Sequence, residues 1–193
     1  INRVMQNCKT AAEAHGRAYV LMYDISGGVD NDPENDLIND LNQCVDAGYL
    51  NSPNYLHHRG KPLVVVWGMG FDDRNPSNPD DALSIINRLK GMGYTVMGGV
   101  PHTWRTLAPP SYPDSRWLNV YESYDVVSPW MVGTVGNLAD VESSKNNIVA
   151  PDIEHLNGLD SKPDYLPVGF AGFSWKNLHN GVLNQVPRLG GQF

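Results

Sequence analysis

The sequence predicts an α/β protein with a parallel β-sheet, and three observations support this class. Short apolar runs that are typical of buried strands alternate with stretches of helical periodicity. The consecutive valines at positions 64–66 indicate a strand that is buried on both faces. The segments after the apolar runs are long and aromatic, whereas those before them are short. This alternation is typical of parallel strands joined by crossover helices.

Five strands are predicted from the apolar runs. They are residues 17–24, 61–67, 94–99, 124–128 and 164–170. A closed (β/α) barrel needs eight strands and about 250 residues. Two architectures therefore stay open, a five-stranded open sheet and part of a barrel. In both, functional residues are expected at the carboxyl ends of the strands.

Helices are predicted between these strands wherever apolar residues recur at helical spacing. They are residues 2–15, 34–48, 80–91 and 116–123, followed by a helical stretch from Leu138 that Pro151 restarts. The tail from residue 184 is expected to be a loop. Because no linker interrupts the pattern, residues 1–193 are predicted to form a single domain.

The composition excludes several classes of function. A net charge of −7 without a basic run argues against a nucleic-acid partner, because phosphate binding needs clustered Lys and Arg. No stretch approaches the ~18 apolar residues of a membrane span. The histidines are scattered, and no GxGxxG, Walker A or GxSxG motif is present, so we expect neither a metal nor a cofactor. Cys8 and Cys44 are interpreted as buried free thiols rather than as a disulfide.

Four of the five tryptophans stand at, or shortly after, the end of a predicted strand. They are Trp67, Trp104, Trp130 and Trp175. Because parallel strands end at the same edge of a sheet, the four indole rings are expected to gather there. Rings in such a position can form a surface on which the apolar face of a sugar stacks. The alternative is that each ring only covers the core.

Polar side chains accompany these tryptophans. Asp24 ends the first strand, where its carboxylate could bind a hydroxyl or act in acid–base chemistry, or could cap the glycines of the next loop. His102 and Arg105 flank Trp104 and offer donors to a polyhydroxylated ligand, unless they only anchor their own loop. Arg188 could reach back to this site or could pair with a structural carboxylate.

Other polar residues are expected to be structural. The histidines at 57–58 lie in a polar segment and should be solvated, and Glu122 precedes the fourth strand, on the opposite edge of the sheet. A glycosidase normally needs two carboxylic acids that flank the scissile bond. The carboxyl edge offers Asp24 and, more loosely, Asp72 or Asp73, so a convincing acid pair is missing.

Several segments together carry a family resemblance. They are residues 17–27, 60–71, 93–105, 125–133 and 168–193, and the closing FSWKNL and NQVPRLGGQF are the most specific. In this order, over nearly the whole chain, they resemble bacterial proteins related to glycoside hydrolase families 71 and 99, some of them labelled xylosidase/arabinosidase. The resemblance implies a (β/α)8 barrel of the TIM type, of which this chain would supply about five central βα units, truncated at both ends. It also implies an oligosaccharide or polysaccharide as the partner and favours a secreted or periplasmic location.

The same resemblance implies roles for individual residues. Asp24 matches an acidic position that contacts sugar, and further positions would line the glycan cleft. These positions are Trp67, His102, Trp104, Trp130, Trp175 and Arg188. In family 99 the two catalytic acids form a Glu-x-x-Glu pair after the last barrel strand, and hydrolysis retains the anomeric configuration. This chain contains no such pair. The resemblance places the pair beyond Phe193, so the chain alone is expected to be inactive.

Three hypotheses of function follow. The first is a glycoside hydrolase with a Trp-lined cleft, which cleaves polysaccharide in the complete protein. The second is a non-catalytic carbohydrate-binding or scaffold protein that lacks the acid pair. The third, a doubly wound domain for a small phosphorylated ligand, is disfavoured because a Gly-rich loop is missing. An incomplete barrel would leave two open sheet edges, which the missing segments or self-association would have to cover.

Overall fold

The computed structural model describes residues 2–26, 32–73 and 78–169, together with the backbone of residues 173–174 and 185–186. The fold is α/β with a mostly parallel sheet, in agreement with the predicted class. The helices are α1 (Asn2–His15), α2 (Pro33–Asp46), α3 (Pro79–Gly91), α4 (Arg116–Glu122), α5 (Leu138–Ser144) and α6 (Ala150–Asn157), with a π-helix at Lys145–Val149. The strands are β1 (Leu21–Asp24), β2 (His57–His58), β3 (Lys61–Trp67), β4 (Thr95–Pro101), β5 (Val126–Trp130), β6 (Asp164–Tyr165), β7 (Phe173–Ser174) and β8 (Gln185–Val186).

The principal strands pair in the order in which they occur along the chain. The order is β1-β3-β4-β5-β6, and each of these pairs is parallel. The short strand β2 pairs antiparallel with the start of β3, and β7 pairs antiparallel with β8. Because β8 lies in the tail, the prediction of a loop there is wrong for residues 185–186. All five predicted strands are therefore present. Strands β4 and β5 extend beyond their predicted ends, to Pro101 and Trp130, whereas β6 is shorter than predicted.

Two of the helices begin where a capping side chain precedes a proline. The Asp32 carboxylate accepts a hydrogen bond from the backbone N–H of Asn35 at 3.1 Å, and α2 starts at Pro33. The Asn78 side chain accepts one from the backbone N–H of Asp80, and α3 starts at Pro79. Both arrangements satisfy amide groups that the first turn of a helix leaves unpaired. They explain why each helix begins one residue before its predicted start.

The helices pack on one face of the sheet. Because side chains alternate along a strand, Val64 and Val66 of β3 point to the same face, and both are fully buried. They belong to one core cluster with buried residues of α2, α3, α4 and α6, which include Leu41, Ile86, Val120 and Leu156. The other side of the sheet is called the opposite face here. It carries Met22, Val65, Trp67, Ser128 and Trp130, and none of these belongs to the cluster.

In the hairpin formed by β2 and β3, the prediction that both histidines are solvated is wrong for His58. His58 is not solvated: its side chain is 17% exposed, and its Nε2 lies 2.6 Å from a carboxylate oxygen of Asp164 at the start of β6. Arg59 contacts the same oxygen at 3.1 Å. These two partners, the His58 hydrogen bond first, lower the pKa of Asp164. The neighbouring His57 is exposed, as predicted. A two-residue strand gives too short a pattern for this contact to be foreseen.

The last helical region and the cysteines match their predictions in part. Pro151 lies in the first turn of α6, but no break precedes it, because α5, the π-helix and α6 follow one another directly with helical backbone angles at both junctions.

Both cysteines are free thiols, as predicted. Cys44 is buried in the core, whereas Cys8 is exposed, so the prediction of burial is wrong for Cys8.

Candidate functional site

The carboxyl edge of the sheet brings several of the predicted residues together. Asp24 is the register partner of Trp67, and Trp67 is the partner of Gly99 on β4. Trp130 ends β5 and pairs in register with Pro101. Because register partners in a parallel pair share a face, Asp24, Trp67 and Trp130 all lie on the opposite face.

Three aromatic rings form a cluster at this edge, called here the edge aromatic cluster. The ring centroids of Trp67 and Trp130 are 5.6 Å apart with an interplanar angle of 73°, an edge-to-face contact. Phe71 lies 5.1 Å from Trp67 on the other side. Trp130 is 36% exposed, whereas Phe71 is buried. The cluster thus presents two partly exposed indoles, Trp130 and Trp67, in contact with each other.

Two glycines make room for this cluster. A Cβ added to Gly99 would lie 2.0 Å from Cδ1 of Trp67, so the indole ring packs directly on the backbone of β4. Gly68 follows Trp67 with a φ of +105°, and a Cβ there would lie 2.5 Å from Cβ of Ser26. Larger residues at either position would force the ring or the neighbouring loop to move. The position of the Trp67 ring therefore depends on Gly99, whereas Gly68 allows the close approach of Ser26.

Asp24 stands beside the cluster and is exposed. Its Oδ1 accepts hydrogen bonds from the backbone N–H of Ser26 at 3.0 Å and from the Ser26 hydroxyl at 2.5 Å. This contact is local, but its partner is Ser26, and the glycines that Asp24 was predicted to cap lie outside the described residues. Asp24 also borders a cavity of about 480 Å³ between β1, α1 and α2, which Tyr23 and Asp40 line as well.

Trp104 corrects the prediction of four exposed rings. Its side chain is 0% exposed, and its ring packs against Tyr121 and His155 at centroid distances of 6.2 and 5.5 Å. The cause is a turn directly after β4, in which the Trp104 N–H donates to the Pro101 carbonyl at 3.1 Å. Trp104 is therefore part of the core, and no sugar can reach its ring in this structure.

Asp152 holds this region together, and sequence reasoning missed it. Its carboxylate is 1% exposed and accepts three hydrogen bonds, from Trp104 Nε1 at 2.9 Å, Arg105 Nε at 2.8 Å and the Tyr165 hydroxyl at 3.0 Å. Burial, followed by the Asp152 charge and hydrogen bond, raises the pKa of Tyr165. No sequence motif identifies Asp152, because its donors come from two other segments, the loop after β4 and the strand β6.

His102 and Arg105 line a small cavity of about 140 Å³, called here the His102 pocket. Its lining residues are His102, Thr103, Arg105, Thr106, Asn147, Ile148 and Asp152. Burial lowers the pKa of His102, and the Asp152 charge opposes this shift. Among the residues that the structure describes, none hydrogen-bonds to the His102 ring or to the terminal amino groups of Arg105, whose Nε alone meets Asp152. Arg105 thus anchors its loop and still offers donors to the pocket.

The remaining predicted residues divide into two groups. Trp175 and Arg188 lie outside the described residues. Glu122 ends α4 and lies 2.7 Å from Nε2 of His155 on α6, a contact between helices that fits a structural role. Within the described ranges, no three His, Cys, Asp or Glu side chains are grouped so that they could hold a metal ion.

Comparison with known proteins adds no identification. No family model, no curated protein and no solved structure matches the chain. None of the helices in the described part of the chain is both long and apolar enough to cross a membrane. The fold and the residues of the carboxyl edge are therefore the features that bear on function.

Proposed function

We propose that this chain binds a glycan on the edge aromatic cluster, as the central part of a (β/α)-barrel of the glycoside hydrolase type. The observation that carries the proposal is the contact between Trp67 and Trp130 at the carboxyl edge of a parallel sheet. Carbohydrate stacks its C–H faces on indole rings, and its hydroxyls bind neighbouring polar groups. Asp24, in register with Trp67, is an exposed carboxylate in the position to do so.

The strand order supports the barrel. In a doubly wound sheet the order reverses at a switch point, which places helices on both faces. Here the parallel strands follow chain order, and the buried faces of four helices belong to one core cluster on one face. Leu63, Val65 and Val126 are buried on the opposite face, as expected for side chains that fill a barrel.

A contact at the amino edge of the sheet supports the proposal of a curled sheet, as a barrel would have. Strands β3 and β6 are separated by two others, so in a flat sheet they would stand roughly 14 Å apart. His58, in the hairpin that leads into β3, nevertheless lies 2.6 Å from Asp164 of β6. A curled sheet brings these two ends together.

The second candidate, a carbohydrate-binding protein without catalysis, is favoured by the state of Asp24. The Oδ1 of this carboxylate is engaged by Ser26 at 2.5 and 3.0 Å, as in a loop cap. Hydrolysis with retention needs a second carboxyl group about 5–5.5 Å from the first. The chain has no Glu-x-x-Glu pair to supply one. Hydrolysis is accordingly proposed for the complete protein and binding for this chain.

Substitution of Trp130 tests the binding surface. Trp130→Ala should weaken binding of xylo-, manno- or gluco-oligosaccharides about fivefold in calorimetric titration, because one stacked ring contributes about 1 kcal/mol. Met92→Ala is the matched control, since Met92 is an exposed apolar residue (38%) at the end of α3, which precedes β4 at the amino edge of the sheet. Equal affinity of both variants, or no binding of any glycan by the unmodified chain, would overturn the proposal. Release of reducing sugar by the chain alone would reject the non-catalytic candidate.

A further inference from the structure

We propose that the His102 pocket binds the carboxylate of an acidic sugar residue in the glycan held by the edge aromatic cluster. This inference rests on the proposed function and adds a substrate class, uronic-acid-containing glycans. The loop that carries the pocket begins at the carboxyl edge next to the cluster, because His102 directly follows Pro101, which is the register partner of Trp130. The proposal requires a ligand that extends from Trp130 to this loop.

Arg105 gives the pocket hydrogen-bond donors. Among the described residues, Asp152 is the only carboxylate that lines it, and its oxygens accept hydrogen bonds from Trp104, Arg105 and Tyr165. Arg105 is oriented by Asp152 through Nε, which leaves its terminal amino groups for a ligand. A guanidinium presents these groups in a fixed fork that matches a carboxylate. A side chain already held in place also loses little entropy on binding.

Charge balance favours a carboxylate over a phosphate. Arg105 and Asp152 are the only charged side chains that line the pocket in the described part of the chain, and they form an ion pair at 2.8 Å. The π-helix contributes Asn147 and Ile148, and the loop after β4 contributes two threonines, all uncharged. A bound carboxylate, with charge −1, is balanced when His102 takes up one proton. A phosphate, with a charge of about −1.5 to −2 near pH 7, would leave an uncompensated charge in a half-buried site.

The dimensions also suit a single functional group. A volume of about 140 Å³ is well below the ~300–1,000 Å³ of pockets that enclose a whole small ligand. It can hold one carboxylate while the sugar rings lie outside, on the cluster. The π-helix at Lys145–Val149 forms part of the wall, and such segments occur frequently at functional sites.

The test compares matched glycans with and without the acid. Calorimetric titrations would use xylotetraose, xylotetraose with one glucuronic acid branch, the manno- and gluco-oligosaccharides above, oligogalacturonate, sodium acetate and inorganic phosphate. An acid-bearing oligosaccharide should bind about tenfold more tightly than its neutral counterpart, the effect of one charge-assisted hydrogen bond. The ratio of the affinities for the acidic and the neutral oligosaccharide should grow as the pH falls from about 8 to about 6, because His102 gains a proton on binding. His102→Gln should reduce the ratio to about twofold or less, whereas His15→Gln, at an exposed histidine ending α1, should leave it unchanged.

The outcomes separate the two proposals. Glycan binding with equal affinity for acidic and neutral forms, or an unchanged ratio in His102→Gln, overturns the acidic-sugar assignment and leaves the proposed function intact. Binding of acetate or phosphate as tight as that of the acidic oligosaccharide shows an anion site without sugar recognition and also overturns the assignment. Failure of every glycan to bind the unmodified chain overturns the proposed function and the assignment with it.

Discussion

Removal of the Asp152 carboxylate should strongly destabilise the fold, because three donors converge on it. Asp152→Ala leaves Trp104 Nε1, Arg105 Nε and the Tyr165 hydroxyl without their acceptor. The indole of Trp104 is 0% exposed, so water cannot replace the lost partner. The Arg105 side chain is 25% exposed and can recover part of its hydration.

The expected magnitude follows from these exposures. A hydrogen bond to a charged group contributes about 1.5–3 kcal/mol, and removal of one partner from a buried ion pair costs about 3–5 kcal/mol. Because Arg105 regains some water, we expect Asp152→Ala to lower the free energy of unfolding by about 3 kcal/mol. Asp152→Asn keeps one acceptor oxygen and should cost about half as much.

Urea unfolding followed by circular dichroism measures this difference. Glu154→Ala is the matched control on α6, because Glu154 is exposed, and it should change the free energy of unfolding by less than about 0.5 kcal/mol. If Asp152→Ala fails to fold, Asp152→Asn gives the comparison. An Asp152→Asn variant as stable as Glu154→Ala would refute the idea that this carboxylate fixes the loop after β4.

Two further predictions concern the carboxyl edge. Burial lowers the pKa of His102, so the imidazole binds a proton more readily in the unfolded chain than in the folded one. The free energy of unfolding should therefore rise with pH through the interval between the folded pKa and the ordinary value of 6.5. In His102→Gln, the urea midpoint should rise less with pH over the same interval. Gly99→Ala places a Cβ 2.0 Å from Trp67, so it should cost about 1–3 kcal/mol in urea unfolding and displace the indole. Unchanged near-ultraviolet circular dichroism together with unchanged glycan affinity in Gly99→Ala would contradict this account of Trp67.

Much of the fold is predictable from local pattern. The run of valines in β3 and the helical spacing in α3 are strong signals, because β3 is buried from Leu63 to Val66 and α3 buries a single stripe. The parallel pairing of the principal strands follows from the alternation of strands and helices, whereas their order along the sheet does not. The pattern also could not supply the contact between His58 and Asp164, over a hundred residues apart in sequence.

The candidate site was predictable only in part, for a similar reason. Trp67 and Trp130 end their strands, so their place on the edge follows from the strand ends. Trp104 lies three residues beyond its strand, and its burial depends on a turn and on Asp152 in a distant helix. Spacing along one segment carries no information about such a partner. Arg105 was identified as a donor, yet its role as the ion-pair partner of Asp152 required the tertiary structure.

The most direct test of glycan binding on Trp67 and Trp130 is a two-dimensional ¹⁵N–¹H NMR titration that follows the tryptophan indole signals. Trp130 is partly exposed and touches Trp67, whereas Trp104 and Trp117 are fully buried. On addition of oligosaccharide, the indole signals of Trp67 and Trp130 should shift in a saturable manner, and those of Trp104 and Trp117 should stay in place. Absence of any saturable shift, or shifts confined to Trp104 and Trp117, would contradict the proposed binding surface.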